Sequence, residues 1–216
     1  MAAKSANAQN MGAEVNQKPW DRGDPAPTPE NVDATLAGIE SLFQIIGIDP
    51  RGPNVAETPQ RFLVAMAEMT AGYAEDPEEI LDTLFDWTST EMVVLRRVDF
   101  VSLCEHHLLP FIGHATVAYI PRTKLLGVSK LARLVACFAR RLQIQERLTV
   151  QVADALAGFK PLNPEGVAVI VTARHTCMGC RGVRQPGSEM VTSALRGCLA
   201  DEPAARAELL RLHDGP

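Results

Sequence analysis

Val167-Ala168-Val169-Ile170-Val171-Thr172-Ala173 runs directly into Arg174-His175-Thr176-Cys177. The first seven residues are mostly β-branched, without polar alternation. Such a run reads as a strand buried on both faces. At its end it delivers an imidazole and a thiol, two side chains that ligate metals. An earlier stretch repeats the pattern. Residues 98–103 are rich in Val and Phe, read as strand, and end on Cys104-Glu105-His106-His107. Strand ends are a common place for site residues, because a rigid element fixes an otherwise free loop.

The remaining elements follow from these two strands. Met92 to Leu95 belongs to the same strand-like texture as 98–103. Residues 115–120, Ala-Thr-Val-Ala-Tyr-Ile, form a further strand closed by Pro121, and residues 189–195 form the last. Between them lie two helical patterns. Ser129 is placed to cap the first, whose apolar stripe is Leu131, Leu134, Val135 and Phe138. The second begins near Gln145-Glu146 and carries Leu148, Val152, Leu156 and Phe159. Glu146 in a first turn suits the helix dipole. A closing helix is expected over 202–213.

Upstream, Thr28-Pro29 and Thr58-Pro59 each read as a cap followed by proline at the first helical position. Leu36, Ile39, Phe43 and Ile46 then keep helical spacing, as do Phe62, Met66, Met69 and Tyr73. Asp76-Pro77 opens a short helix with Ile80, Leu81, Leu84 and Phe85 inward. The order is helices, then strand-strand-helix-helix-strand-strand, which is an α+β chain with mainly antiparallel pairing. Residues 1–27 lack periodicity and read as a flexible arm. A helical region over 28–90 and a catalytic domain over 91–216 complete the expected organisation.

The chain has 216 residues, 46% of them hydrophobic and 22% charged, so it can bury a core. A formal charge of −5 argues against a general affinity for nucleic acid or anionic membrane. The five cysteines and the absence of an apolar leader read as thiols in a cytoplasmic protein. No apolar run approaches membrane-spanning length.

Cys104 and His107 have CxxH spacing, so one turn can aim both at one ion, and Cys177 supplies a third ligand. Two arrangements fit that spacing. A closed structural zinc site would take Cys180 as fourth ligand; an open one would leave a position for water. Glu105, His106 and His175 crowd the same place, and histidine is the side chain suited to moving protons near neutral pH. Lys130, Arg133, Arg181 and Arg61 could gather around a polyanionic phosphate, although each alone also reads as solvated surface. Neither a P-loop nor a GxGxxG fingerprint is present.

CEHHLLPFIGHATVAYIP, GVSKLARLV, QIQERLT and ARHTCMGCRGV stand in the order and spacing of GTP cyclohydrolase I. The chain resembles that family from about residue 33 to 213. The resemblance implies a T-fold: antiparallel strand pairs with two helices packed on one face, N-terminal helices, and subunits joined into an oligomeric barrel, with a decamer expected. It implies zinc held by Cys104, His107 and Cys177, and proton transfer by His106 and His175. It implies GTP as substrate, with Glu146 on the guanine edge and Gln145 and Ser129 at neighbouring site positions. Lys130, Arg133, Arg181 and Arg61 match triphosphate contacts, Arg61 from another subunit. The implied reaction hydrolyses and rearranges GTP to 7,8-dihydroneopterin triphosphate and formate. Two departures stand out. Val64 occupies a position where some members carry a basic residue, and Cys180 is not a family ligand position. The other readings to be weighed are a related purine or pterin enzyme that stops at a ring-opened intermediate, and a non-catalytic zinc module.

Overall fold

The computed structural model describes residues 28–215. The expected arm over 1–27 therefore lies outside the described residues. The chain divides into two compact units, the first ending at Ala74 and the second beginning at Glu75.

The first unit contains helix α1 (Pro29–Ile45) and helix α2 (Thr58–Met69). Thr28 caps α1 as its sequence suggests, its hydroxyl accepting from the Asn31 N–H at 3.3 Å. The second expected cap is corrected. Glu57, in a helical conformation and without a side-chain capping bond, precedes the helix, and Thr58 is already inside it. The turn before it explains this, because the Thr58 N–H is taken by the Val55 carbonyl at 2.9 Å.

The second unit begins with α3 (Pro77–Ile80), capped by the Asp76 carboxylate on the Glu78 N–H at 2.8 Å. Leu84 and Phe85 do not continue this helix inward. They lie in strand β1 (Leu84–Asp86), which pairs antiparallel with β4 (Lys124–Leu126), and Phe85 is exposed. Tertiary pairing overrides local helical spacing here.

The main sheet has five strands: β2 (Val93–Cys104), β3 (Pro110–Ile120), β5 (Leu142–Gln143), β6 (Gly166–His175) and β7 (Met190–Gly197). Their order is β5-β2-β3-β6-β7, antiparallel except for the short β2–β5 pair. The two apolar runs at 92–95 and 98–103 are one strand, whose register shifts between Leu95 and Val98, with Arg97 at φ 55°. Such a bulge inserts an extra residue without ending the strand.

Helix α4 (Val128–Ala139) and helix α5 (Gln145–Gly158) cover one face of this sheet. Odd-numbered residues from β3 and β6 (Phe111, Ala115, Val117, Val167, Val169, Val171) meet Leu131, Leu134, Leu148 and Leu156 in one core. Each fully buried leucine or valine contributes about 1.5–3 kcal/mol relative to exposure. The opposite parity, Ala118 and Ala168, packs instead on α7 (Cys198–Asp201) and α8 (Pro203–Asp214) through Leu199 and Leu209. Helix α6 (Thr176–Gly179) is a single turn after β6. This is the strand-strand-helix-helix-strand-strand T-fold arrangement that the sequence implies.

Ser129 does not cap α4. The cap position is Gly127, whose N–H is bonded to the Thr83 carbonyl at 3.0 Å as β4 ends, so the helix starts one residue after that pairing. Ser129 is left exposed in the first turn.

Candidate metal centre and its surroundings

The centre forms where β2 and β6 end on the helix-covered face. Cys104 is the last residue of β2, and its N–H donates to the Leu109 carbonyl at 2.9 Å, closing a tight turn. The turn is completed by Leu108 N–H to the Cys104 carbonyl at 2.8 Å, with Leu108 at φ 54°. His107 Nδ1 comes to 3.6 Å from the Cys104 sulfur. From the other strand end, α6 carries Cys177 towards the same point. One ligand atom from each of Cys104, His107 and Cys177 can be drawn so that all lie within 4.8 Å of one another.

This donor set fits a borderline-soft divalent metal, with two sulfurs and one imidazole nitrogen converging. The electrostatics agree. Burial, reinforced by the neighbouring Cys104, pushes the Cys177 thiol above its ordinary pKa. Two thiolates this close are unfavourable without a cation between them, and a bound cation reverses that cost. Cys180 is exposed and is not part of the converging group.

His175 is held on two sides. Register places it directly opposite Phe111, and the two rings stack with centroids 4.7 Å apart and planes 4° from parallel. Close approach of β3 and β6 beside that pair is enforced at Gly113, where a Cβ would stand 2.0 Å from the Thr172 carbonyl oxygen. On its other edge, His175 Nε2 lies 2.9 Å from Gln145 Oε1. Burial lowers the His175 pKa below the ordinary imidazole value, and the Glu146 carboxylate partly opposes that. His106 differs: its side chain is 65% exposed, with Nε2 3.9 Å from Glu105 Oε1.

Three consecutive residues at the start of α5 face three directions. Gln145 is fully buried and turned to His175. Glu146 is exposed in the first turn. Arg147 reaches across to the Glu105 carboxylate, and also donates to the Leu142 carbonyl at 2.9 Å and to Gln143 Oε1 at 3.0 Å. The guanidinium holds the Glu105 carboxyl below the usual carboxylate range. Sequence reasoning passed over Arg147, Gln143 and Phe111. A signal for Arg147 was present, because a cation in a helix's first turn opposes the dipole and so calls for a carboxylate partner.

The basic residues are less gathered. Lys130 is largely buried, its side chain 14% exposed, and donates to Asp82 Oδ1 at 2.7 Å. That ammonium, with Arg133 adding to it, holds the Asp82 carboxyl below its ordinary value. Arg133 and Arg181 are exposed, the latter in an exposed segment after α6. Arg61 belongs to the first unit, where it pairs with Glu57 at 2.5 Å on the helix surface. Val64, one turn further along α2, is half-buried. No described helix is long and apolar enough to cross a membrane.

Comparison with known families and with related sequences points to one family. The model of GTP cyclohydrolase I matches residues 36–214. GTP cyclohydrolase 1 of Desulforamulus reducens is 50% identical over 175 residues, covering 81% of this chain and 92% of the relative. That of Synechococcus sp. (strain JA-3-3Ab) is 48% identical over 185 residues, covering 85% and 80%. That of Campylobacter curvus is 48% identical over 179 residues, covering 82% and 93%. With a matched span that includes both ligand-bearing strand ends and the two helices between them, the chain belongs to the GTP cyclohydrolase I family.

Proposed function

We propose that the protein is a zinc-dependent GTP cyclohydrolase, converting GTP to 7,8-dihydroneopterin triphosphate and formate. The observation that carries this is the convergence of Cys104, His107 and Cys177 beside two histidines that are not needed as ligands. A purely structural zinc site has no use for titratable neighbours, and Cys180, its required fourth ligand, stands outside the group.

Cys104, His107 and Cys177 would hold the zinc ion, which when bound supplies an activated water and polarises a carbonyl oxygen. Glu146 accepts from the guanine N1–H and 2-amino group, a fork that a carboxylate matches with its two oxygens. His106, exposed at the turn, and His175, fixed on Phe111, move protons to and from the purine ring, with N7 the first atom to need one. Lys130, Arg133 and Arg181 meet the triphosphate, Arg61 joins them from another subunit, and Ser129 lines the site at the start of α4. Subunits assemble as a homo-oligomer, a decamer by family resemblance, which gives the open strand edges a partner. The same reading places the enzyme in the cytoplasm.

Incubating the zinc-loaded protein with GTP and assaying formate, then neopterin fluorescence after oxidation, tests the proposal. Both products are expected. Formate without neopterin would leave hydrolysis but not rearrangement, and neither product would refute it.

A further inference from the structure

The partners around the Gln145 side chain allow only one orientation of its amide. Its Nε2 is 3.0 Å from the Val171 carbonyl, 2.9 Å from the Met190 carbonyl and 3.2 Å from Thr192 Oγ1. Carbonyl oxygens only accept, so the amide nitrogen must face them. The flipped amide would set three oxygens against one another. The hydroxyls close the circuit. Thr149 Oγ1 donates its one hydrogen to the main-chain carbonyl of Gln145 at 2.8 Å. The 2.6 Å bond between Thr149 and Thr192 is therefore donated by Thr192, which leaves Thr192 to accept from Gln145.

With Nε2 so fixed, Gln145 Oε1 is the atom facing His175 Nε2 at 2.9 Å. An amide oxygen accepts, so His175 Nε2 carries the hydrogen. Stacking on Phe111 fixes the plane of the same ring. We infer that Gln145 is a positioning residue: together with Thr192 and Thr149 it holds the His175 ring with Nε2 as donor, leaving Nδ1 as the nitrogen open to the reaction. Gln145 is fully buried and its side-chain oxygen and nitrogen both have protein partners, so it acts through His175 rather than by touching substrate. The device spans three elements, α5, β6 and β7. It rests on the proposed role of His175 in proton transfer.

The test compares Gln145→Leu, Thr192→Val, Thr192→Ser and His175→Ala, each zinc-loaded, for kcat, KM for GTP, zinc content and thermal midpoint. Gln145→Leu is expected to lose about 10–100-fold in kcat, the scale on which outer partners of site residues act, with KM and zinc content held. Thr192→Val loses less in the same direction, and Thr192→Ser, which keeps the hydroxyl, restores kcat. A raised KM with kcat retained in Gln145→Leu would make Gln145 a substrate contact and overturn the inference. So would an unchanged kcat in either folded variant, and Thr192→Val decides the matter should Gln145→Leu not fold. Loss of turnover in His175→Ala but not in the Gln145 and Thr192 variants overturns the positioning role alone, whereas retention in His175→Ala overturns the role of His175 itself. Crystal structures of the native protein and Thr192→Val or Gln145→Leu read the ring directly, whatever the activity. A ring still stacked on Phe111 in Gln145→Leu, with Nε2 bonded to another acceptor, also overturns it.

Discussion

The turn after β2 and the end of β6 supply the same kinds of side chain but hold them differently. Residues 104–107 leave both histidines exposed, and the turn is tied down through a neighbour, Glu105, by Arg147. At the end of β6, His175 itself is gripped, between Phe111 and Gln145, and Thr176 is anchored to the Pro110 carbonyl at 2.5 Å. One segment leaves its histidine side chain open to solvent, while the other fixes the orientation of a ring through two partners. Under the proposed proton-transfer roles, this difference suits the two histidines to different protons. A fixed ring suits a transfer whose geometry is the same at every turnover, and an exposed one suits exchange with solvent.

Replacing the histidines themselves gives the largest effect. His106→Ala and His175→Ala are each expected to lower kcat by about 10²–10⁴-fold, the usual range for a positioned proton-transfer group. Zinc content should be retained in both, because neither belongs to the converging ligand group. The contrast between them lies in structure: removing the buried, stacked His175 ring lowers the thermal midpoint, and removing the exposed His106 leaves it unchanged. Equal midpoints would break the comparison. Metal loss in His106→Ala, read by metal analysis, would overturn the assignment of His107 as the ligand of the pair.

Arg147→Met comes next, and separates indirect from direct restraint. It removes the cation that neutralises Glu105 and the bonds to Leu142 and Gln143, while keeping most of the side-chain volume. We expect a loss of about 10-fold in zinc affinity or turnover, the lower end for an outer partner of a metal site. The effect should appear in zinc affinity before kcat, because the turn carries Cys104 and His107. A change confined to KM for GTP would place Arg147 with the substrate instead.

Much of this layout is legible in the amino-acid sequence itself. The β-branched run at 167–173 reads as a buried strand, and it sets His175 at the strand end and Cys177 in the turn of helix that follows. The two apolar helical stripes between strand pairs then fix the layer order. What sequence leaves out is whatever depends on a partner distant in the chain. Ser129 has the chemistry of a cap, yet Thr83 on β1's flank sets where α4 begins. Leu84 and Phe85 have helical spacing, yet β4 recruits them. Gln145 looks like one more polar residue beside Glu146, and only the carbonyls of Val171 and Met190 reveal which way its amide faces.

The smallest effect probes a third kind of restraint, an ion pair in place of a turn or a stack. Lys130 reaches Asp82 through an exposed carboxylate, so the pair is screened by solvent and contributes little to stability. Asp82→Asn should leave the thermal midpoint nearly unchanged. It should lower KM for GTP, because the internal carboxylate that competes with phosphate for Lys130 is gone, and the change should shrink as salt is raised. The pH dependence has a definite sign. The Asp82 pKa is depressed in the folded protein, so the pair is complete above the ordinary carboxylate pKa and is lost as pH falls through the depressed value. The native protein and Asp82→Asn should therefore differ in KM at neutral pH and converge only in acid below that value. A raised KM in Asp82→Asn would mean that Asp82 holds Lys130 in its binding position, which would bring Lys130 into line with His175 as a side chain fixed by its partners.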